Sequence, residues 1–421
     1  MKQGVYGPII QGKSFSQPAG GSRTWRSQPG RMAGAAPAQS QAAAKRADPV
    51  RKRPVLGLLM QRWPGMDRPF GSQTPLAECV TTLARTVGVE VLCFGPEDVD
   101  RSARRVRGSR FLGHSQGWTH EVAPLPDVLW NRYLKRDQGA LLHWLAQQSI
   151  PFINGAYLNK WETYQWLLHD EILRPHLPET ALLTEAAVAF KMLERHPAIF
   201  LKPVAGAAGR GILRGRLSGP GLMQLDYISA ATGGMKQVHV GSEHLDRWLL
   251  KDGRNGRYIV QQGLALNAFH GRIADLRVLV QKDGEGQWGI TGMGCRVAGH
   301  GRFTANLHTG GQGVPAQLLF DAVYPDGAAR ERASEQVAEL ALRAARRIEE
   351  AAGPMGELGL DFGIDRSGSI WLIEQNGQPG RAVFEHMGRM DLSDLAHLRP
   401  VQYAKFLAAR KGAGTPAAQA T

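Results

Sequence analysis

Two strongly apolar runs near the carboxyl end of the chain each contain one acidic residue. The runs 359–364 and 369–374 are separated by Asp365-Arg366-Ser367-Gly368, whose residue types favour a chain reversal. The sequence therefore predicts an antiparallel hairpin, in which Asp361 and Glu374 can lie side by side on one face. Two carboxylates placed next to each other in apolar strands repel unless a cation lies between them.

The residue after this pair extends the set of oxygen ligands. Asn376 lies two residues beyond Glu374, so the two side chains share a face in an extended chain. Magnesium prefers oxygen ligands such as these, particularly where they face nucleotide phosphates. We therefore expect a metal site formed by Asp361, Glu374 and Asn376. The alternative is ordinary hairpin polarity, which leaves two acids inside apolar strands unexplained.

A second pattern places a lysine at the end of a predicted buried strand and a glycine-rich loop after it. Lys202 is followed by Gly206, Gly209 and Gly211. Glycines let backbone amides approach phosphate oxygens closely, and a lysine adds a positive charge. The spacing is neither GxGxxG nor GxxxxGK[ST]. The pattern favours a phosphate-binding loop, with a flexible surface turn as the alternative.

Further polar residues follow on strands and in a loop between these two patterns. Asp275 and Arg277 share one face of a predicted strand, Arg296 ends another, and the glycine-rich loop 306–311 comes next. Arginines aimed at a phosphoryl group stabilise the charge that grows during its transfer. Asp275 and Arg277 can equally form a structural ion pair. His308 is more typical of a loop histidine than of a catalytic base.

The net charge of +14 is concentrated in one terminal segment. Residues 1–53 contain ten Lys and Arg but a single acid, Asp48, and therefore carry nine of the fourteen positive charges. This segment and 412–421 are rich in Gly, Ala, Ser, Gln and Pro, and we expect both to be disordered. Because the rest of the chain is only weakly basic, no specific nucleic-acid partner is predicted.

Several classes of protein are excluded by what the sequence lacks. No apolar run is long enough for a transmembrane helix, and no secretory signal is recognised. The three cysteines, Cys79, Cys93 and Cys295, form neither a zinc spacing nor a disulfide framework. Buried structural thiols in a reducing cytoplasm fit them best.

The chain resembles the ATP-grasp superfamily and, within it, the YheC/YheD endospore-coat-associated group. No single stretch decides this, but the order of the stretches and the 13-residue spacing from Asp361 to Glu374 are together specific. The resemblance is carried by Asn159-Lys160-Trp161-Glu162, Leu201-Lys202-Pro203, Val260-Gln261-Gln262-Gly263-Leu264, Asp275-Leu276-Arg277-Val278, Asn306-Leu307-His308-Thr309-Gly310-Gly311 and Glu374-Gln375-Asn376-Gly377-Gln378-Pro379-Gly380.

The resemblance implies an α/β chain of the α+β ATP-grasp type. Strand and helix alternate over 54–155, which predicts a small N-terminal parallel α/β domain. Two α+β subdomains that sandwich ATP would follow, a central one over 156–265 with the glycine loop and a C-terminal one over 266–411 with the metal site.

The resemblance also assigns roles to individual positions. ATP would be held by two lysines, the closing loop, a hinge segment that reads the adenine edge, and one acid: Lys160, Lys202, Gly206, Gly209, Arg210, Gly211, Gln261, Gln262, Gly263, Leu264 and Asp275. Arg277, Arg296 and Asn306 would face the γ-phosphate and the acyl-phosphate intermediate. Magnesium, or manganese in its place, would be bound by Asp361, Glu374 and Asn376.

Two positions depart from the pattern of the group. Gln262 stands where many relatives have Glu, and Gln375 where they usually have Val or Ile. The implied function is an ATP- and magnesium-dependent ligase that joins a small carboxylate, such as an amino acid or peptide, to an amine. A non-catalytic nucleotide-binding protein of the spore coat is the alternative. Either would be cytoplasmic, with an association with the spore coat.

Overall fold

The computed structural model describes residues 53–63, 68–133, 137–206, 209–229, 231–250, 257–307 and 310–412. The predicted N-terminal tail lies outside these ranges except for Arg53. The predicted C-terminal tail also lies outside them, except that Gly412 is still the last residue of a helix. Residues 52–421 form one compact unit. Among the described residues, no helix combines the length and apolar character needed to cross a bilayer.

The first sheet is built around three short parallel strands. Strand β1 pairs in parallel with β2 and with β6, and the sheet order is β3-β4-β2-β1-β6, with β5 paired to β4. The elements of this region are β1 Val55–Leu59, α1 Thr74–Thr86, β2 Glu90–Phe94, β3 Val99–Asp100, β4 Arg105–Gly113, β5 Gly117–Pro124, β6 Val128–Asn131 and α2 Gly139–Gln147.

The parallel pairing expected for this region is confirmed, but the sheet also contains an antiparallel hairpin that the sequence did not reveal. Strand β4 pairs antiparallel with β2 and with β5. Its sequence carries three arginines and two glycines and lacks a regular apolar alternation. Because pairing with β2 rather than its own pattern fixes this strand, sequence periodicity missed it.

The second sheet consists of antiparallel strands covered by two helices. Its order is β11-β10-β9-β8-β12-β7. Helices α4 and α5 contribute Met192, Leu193, Leu245 and Leu249 to the core on one face of it. The elements are α3 Lys160–Leu168, β7 Thr180–Leu182, α4 Ala186–Arg195, β8 Ile199–Pro203, β9 Leu213–Gly219, β10 Leu222–Ile228, β11 Met235–Gly241, α5 Ser242–Leu250 and β12 Tyr258–Gln262.

Helix α3 is shorter than its apolar spacing predicts. Its N-terminus is capped by the Asn159 side chain, which accepts hydrogen bonds from the amides of Trp161 and Glu162 at 3.0 and 3.2 Å. The apolar spacing of the sequence predicts a helix over 159–173, but α3 ends at Leu168, where the chain turns. The carboxylate of Asp170 accepts the amides that follow it and so stabilises the turn.

The third sheet carries the predicted acidic hairpin at its edge. Its order is β16-β15-β14-β17-β18, with β13 paired to β14. The long helix α7 packs its apolar stripe against this sheet, and α8 and α9 pack elsewhere on it. The elements are β13 Ala268–Phe269, β14 Arg272–Lys282, β15 Trp288–Val297, β16 Gln312–Pro315, α6 Ala316–Val323, α7 Gly327–Ala352, β17 Glu357–Ile364, β18 Ile370–Asn376, α8 Ala382–His386 and α9 Met390–Gly412.

The turn of the predicted hairpin is formed as its residue types suggested. The carboxylate of Asp365 accepts the amides of Ser367 and Ser369 at 2.9 and 3.0 Å, and the indole N–H of Trp371 at 2.8 Å. An acidic side chain that satisfies amides of its own turn stabilises the reversal locally. The antiparallel pairing of β17 with β18 is therefore confirmed.

A buried ionic cluster joins the first sheet to the third. Glu357 at the start of β17 is 1% exposed, and its carboxylate accepts from Arg132, Arg381, Trp130 and Gln281 at 3.2, 2.5, 3.0 and 3.1 Å. Trp130 lies on β6 of the first sheet and Arg132 directly follows that strand, whereas Gln281 lies on β14. This cluster fixes one sheet against the other.

The cysteines are free thiols, as expected. Cys93 and Cys295 are buried, and Cys79 is partly exposed. Burial raises the pKa of all three thiols, that of Cys295 to about 12. The expectation of buried structural thiols therefore holds for two of the three.

His397 on α9 predicts a loss of stability in acid. Burial, with the charges of Arg381 and Arg132, lowers its pKa to about 3, whereas an unfolded histidine has a pKa of about 6.5. Below pH 6.5 the unfolded chain gains a proton that the folded chain does not, so stability falls as the pH decreases toward 3. We expect a loss of about 2–3 kcal/mol between pH 7.5 and pH 4.5 from this residue.

Urea unfolding of the wild type and His397→Asn at several pH values measures this contribution. Asparagine retains a donor for the Ser393 carbonyl, which the ring now contacts at 2.7 Å, but it does not titrate in this range. His143→Asn, at an exposed position on α2, is the control. Equal pH slopes for the wild type and His397→Asn would show that the buried ring does not contribute.

Candidate functional site

A cavity lies between the second and third sheets. The space between its lining residues is about 720 Å³ when the open mouth is included. The lining is partly apolar and partly charged. The apolar lining residues are Phe200, Ile212, Leu264, Leu266, Ile273, Phe303, Ala305 and Ile373. The polar and charged lining residues are Lys202, Gln261, Gln262, Asp275, Arg296, Thr304, Asn306, Asp361 and Glu374.

Strand register brings the charged residues of the third sheet into one row. Arg296 on β15 lies opposite Asp275 on β14, and Arg277 on β14 lies opposite Asp361 on β17. Asp361 lies in turn opposite Glu374 on β18. Because direct cross-strand partners point to the same face, four adjacent strands deliver these side chains to one side of the sheet. The predicted pairing of Asp361 with Glu374 is confirmed.

Asp361 lies at the centre of a closed set of ion pairs. Its carboxylate is 2.5 and 3.1 Å from the Nε and Nη2 atoms of Arg277, and 2.9 Å from Nη2 of Arg296. Arg296 also binds Asp275 through two bonds of 2.7 and 2.8 Å. The local Asp275–Arg277 pair that the sequence left open does not form, since each residue is paired with a different strand.

These contacts determine the charge of the two acids. Burial by itself would raise the pKa of Asp361, but the guanidinium groups of Arg277 and Arg296 outweigh it, so its pKa lies below the usual value. For Asp275 burial outweighs Arg296, and its pKa is raised. Asp361 is therefore held as the carboxylate, which is the form that binds a metal ion.

Glu374 is paired with the first of the two predicted lysines. Lys160 Nζ lies 3.0 Å from the Glu374 carboxylate and donates to the Gly206 carbonyl at 2.8 Å. Lys160 is the first residue of α3, and Gly206 belongs to the glycine loop. One lysine therefore links the helix, the loop and the acidic hairpin.

Lys202 reaches the same cavity from the second sheet. It is 6% exposed and lies on β8, and burial lowers the pKa of its ammonium to about 8, with Lys160 acting in the same direction. Both lysines thus lie on the same side of the molecule as the acidic residues, as binding one triphosphate and its metal ion requires.

The hinge segment is fixed by its own backbone bonds. The amides of Gln262 and Gly263 donate to the carbonyls of Glu179 and Ala198, each at 2.8 Å. Leu264, the next residue along the chain, lines the cavity. The Gln262 side chain accepts the Glu179 amide at 3.1 Å.

Gly263→Ala is expected to destabilise this hinge. A Cβ atom there would lie 2.7 Å from the Ala198 carbonyl oxygen and 2.8 Å from its carbon, both backbone atoms that cannot rotate away. Such overpacking costs about 1–3 kcal/mol. Chemical denaturation measures the loss. Gly219→Ala is the matched control, because a Cβ atom at Gly219 meets nothing within 4 Å. Equal stability of the two variants would contradict the close approach.

The glycine loop is described in part, because residues 207 and 208 lie outside the described ranges. Gly209 and Gly211 have φ of 69° and 73°, a region that glycine adopts without strain. Gly209 packs so closely on Asn306 that a Cβ atom would lie 2.2 Å from its Nδ2. Arg210 is exposed and does not line the cavity. The neighbouring His308 also lies outside the described ranges.

The donor set at the hairpin fits a magnesium ion. Asp361 accepts three hydrogen bonds from arginines and Glu374 one contact from Lys160, so both carboxylates retain lone pairs. Asn376 ends β18 opposite Gly359, and its side chain has no hydrogen-bond partner among the described residues. Across the described ranges no three His, Cys, Asp or Glu side chains form a metal-binding group. The set here is two carboxylates and one amide.

Not every predicted residue faces the cavity directly. Arg277 and Asn376 lie outside its lining, and Lys160 lines a smaller adjoining cavity together with Lys202 and Gln375. The apolar lining residues, among them Phe200 and Phe303, were not predicted. Phe200 could have been found, because it lies two residues before Lys202 and therefore shares its face. No local signal identifies Phe303.

These features define an ATP-grasp protein. The family model described as "YheC/D like ATP-grasp" matches residues 149–407, more than half of the chain. The chain therefore belongs to the YheC/D-like ATP-grasp family.

Two curated relatives come from Bacillus subtilis (strain 168). The endospore coat-associated protein YheD is 28% identical over 350 residues, covering 81% of this chain and 76% of the relative. The endospore coat-associated protein YheC is 25% identical over 305 residues, covering 70% and 82%. The solved structure of the VanG D-Ala:D-Ser ligase from Enterococcus faecalis aligns with a TM-score of 0.48 at 14% identity, covering 84% of this chain and 100% of that one. This last likeness is too distant to add to the family assignment.

Proposed function

We propose that this protein binds ATP with magnesium and uses them to activate a carboxylate for ligation to an amine. The observation that carries the proposal is the meeting of two lysines, Lys160 and Lys202, with the Asp361–Glu374 pair in one region. Lysines suit phosphates, and paired carboxylates suit the metal ion that accompanies them.

The reaction we propose has two steps. A substrate carboxylate oxygen attacks the γ-phosphorus of ATP, and the bond to the β-phosphate oxygen breaks, which releases ADP and leaves an acyl phosphate. An amine nitrogen then attacks the acyl carbon, phosphate leaves, and the nitrogen loses a proton. Asp361, Glu374 and Asn376 would hold magnesium, which neutralises charge on the phosphates. Arg277, Arg296 and Asn306 would position the transferring group and stabilise its charge.

The nucleotide would lie across the rest of the cavity. The cavity lining includes the aromatic side chains of Phe200 and Phe303 and the apolar side chain of Leu264, which together suit contact with one face of a flat base. Gly206, Gly209 and Gly211 would bring backbone amides to the phosphates, and Arg210 would lie at the rim of this loop. In this proposal the segments 156–265 and 266–411 act as the two subdomains that enclose ATP.

A second candidate is a nucleotide-binding protein of the spore coat without turnover. The names of the two relatives favour it, since both are called endospore coat-associated. The closed ion pairs around Asp361 also favour it, because they neutralise the site in the absence of ligand. An association with the spore coat belongs to both proposals, and a cytoplasmic site of synthesis is compatible with either.

Release of ADP and phosphate separates the two functions. The protein is incubated with ATP and magnesium against pools of amino acids and short peptides, beside an Asp361→Ala control. The ligase predicts release that depends on magnesium, on a pool and on Asp361. Nucleotide binding without release, or release equal in the Asp361→Ala control, would favour the coat protein.

A further inference from the structure

Among the described residues, no carboxylate lies within 4 Å of the Lys202 ammonium, although several acidic residues are near it. The nearby charged groups that act on it are Glu374, Lys160, Asp361 and Asp275. Glu374 is bound by Lys160, and the two aspartates are bound by arginines. Lys202 Nζ instead donates to a neutral group, the Oε1 atom of Gln261, at 2.5 Å.

The strand register explains how Gln261 reaches Lys202. Strand β12 pairs antiparallel with β8 so that Ile259 lies opposite Lys202. Gln261 is two residues further along β12 and therefore lies on the same face, in the diagonal position that long side chains can span. Its direct partner on the other side is Thr180 of β7.

The hydrogen bonds around Gln261 fix the orientation of its amide. Lysine can only donate, so the atom that faces it must be the carbonyl oxygen. The amide nitrogen then donates to Thr180 Oγ1 at 3.1 Å, and that hydroxyl donates to the Pro178 carbonyl at 2.9 Å. Gln261 and Thr180 are 6% and 7% exposed. This buried chain of bonds ends at a backbone carbonyl and therefore fixes which end of the Gln261 amide faces Lys202.

We propose that the side chain of Gln261 is a positioning residue that holds the Lys202 ammonium in the cavity without neutralising its charge. The inference rests on the proposed function, in which Lys202 contacts a phosphate of ATP. A carboxylate at position 261 would accept the same bond from Lys202 but would form a buried ion pair with it. The lysine would then interact less strongly with an incoming phosphate. The neutral amide therefore holds the ammonium in place and leaves its positive charge available to a phosphate.

Gln261→Glu tests this because it keeps the acceptor and the shape while adding a charge. We expect the affinity for a non-hydrolysable ATP analogue to fall about tenfold, the size expected for a weakened bond to a charged group. Binding of adenosine, which has no phosphate, should stay unchanged. A purely structural role predicts no loss with Gln261→Glu, or an equal loss for the analogue and adenosine. Isothermal titration calorimetry measures both ligands at one magnesium concentration.

Thr180→Val provides a second variant that adds no charge. It removes the acceptor that orients the amide, so affinity for the analogue should fall about threefold, again without a change for adenosine. Gln147→Glu, an exposed position on α2, controls for the added charge alone. Wild-type affinity for the analogue in Gln261→Glu would overturn this inference alone. A wild-type protein that binds no ATP analogue would overturn the proposed function and this inference with it.

Discussion

Replacing Glu357 with glutamine is expected to lower the free energy of unfolding by about 3–5 kcal/mol. Glu357 is the carboxylate within 4 Å of both Arg132 and Arg381 in the described part of the chain. Both guanidiniums are nine-tenths buried or more, and burial already lowers the pKa of Arg132 to about 10. Glutamine preserves the shape but leaves two buried cations without a counter-charge.

The effect should extend beyond stability, because Arg132 and Arg381 also hold the loop that follows the proposed metal ligands. Arg132 and Arg381 donate to the Pro379 carbonyl at 3.5 and 3.1 Å, and Arg277 donates to the Gly380 carbonyl at 3.4 Å. Urea denaturation measures the loss of stability. Glu350→Gln is the matched control, since its pair with Arg347 is exposed and should contribute less than about 1 kcal/mol. If Glu357→Gln lost no more unfolding free energy than Glu350→Gln, the result would contradict a stabilising role of the buried cluster.

Replacing Asp361 with asparagine should reduce metal affinity in the presence of nucleotide about 100-fold or more. Loss of a group that merely supports a metal ligand costs 10- to 100-fold, and loss of a charged ligand should cost at least as much. The change also removes the negative charge that pairs with Arg277 and Arg296 and replaces one of the two acceptor oxygens with an NH2 group, so magnesium-dependent release of ADP should decrease together with metal binding.

Calorimetric titration with Mn²⁺ in the presence of an ATP analogue measures this affinity. Asp391→Asn is the matched control, because Asp391 forms a similar pair with Arg389 but at an exposed position. It should bind the metal as the wild type does. Unchanged metal affinity in Asp361→Asn would remove Asp361 from the ligand set and, with it, the proposed metal site.

The site was predictable where neighbouring residues along the chain create it. The turn at Asp365 fixes the register of β17 with β18, so the pairing of Asp361 with Glu374 could be read from the sequence. The N-cap at Asn159 places Lys160 at a helix start in the same local way. The resemblance to a known family added the order of these pieces.

The sequence did not reveal the contacts that depend on pairing between distant strands. Asp275 and Arg277 are two residues apart, yet they bind Arg296 and Asp361 instead of each other. Strands β9 to β11 were missed because their exposed residues follow no apolar alternation. Helix α9 was missed as well, with Pro400 inside it.

By itself, then, the sequence determined the acidic hairpin and the lysine with its glycine loop, because short-range turn chemistry and strand alternation encode them, and its resemblance to a known family indicated the family of the chain. The tertiary structure alone decided which partner each buried charged side chain has. Glu357 meets Arg132 across 225 positions, and Lys202 meets Gln261 across 59. The physical reason is that a buried charge is stabilised by the groups that packing brings within a few ångströms, and strand register sets those distances.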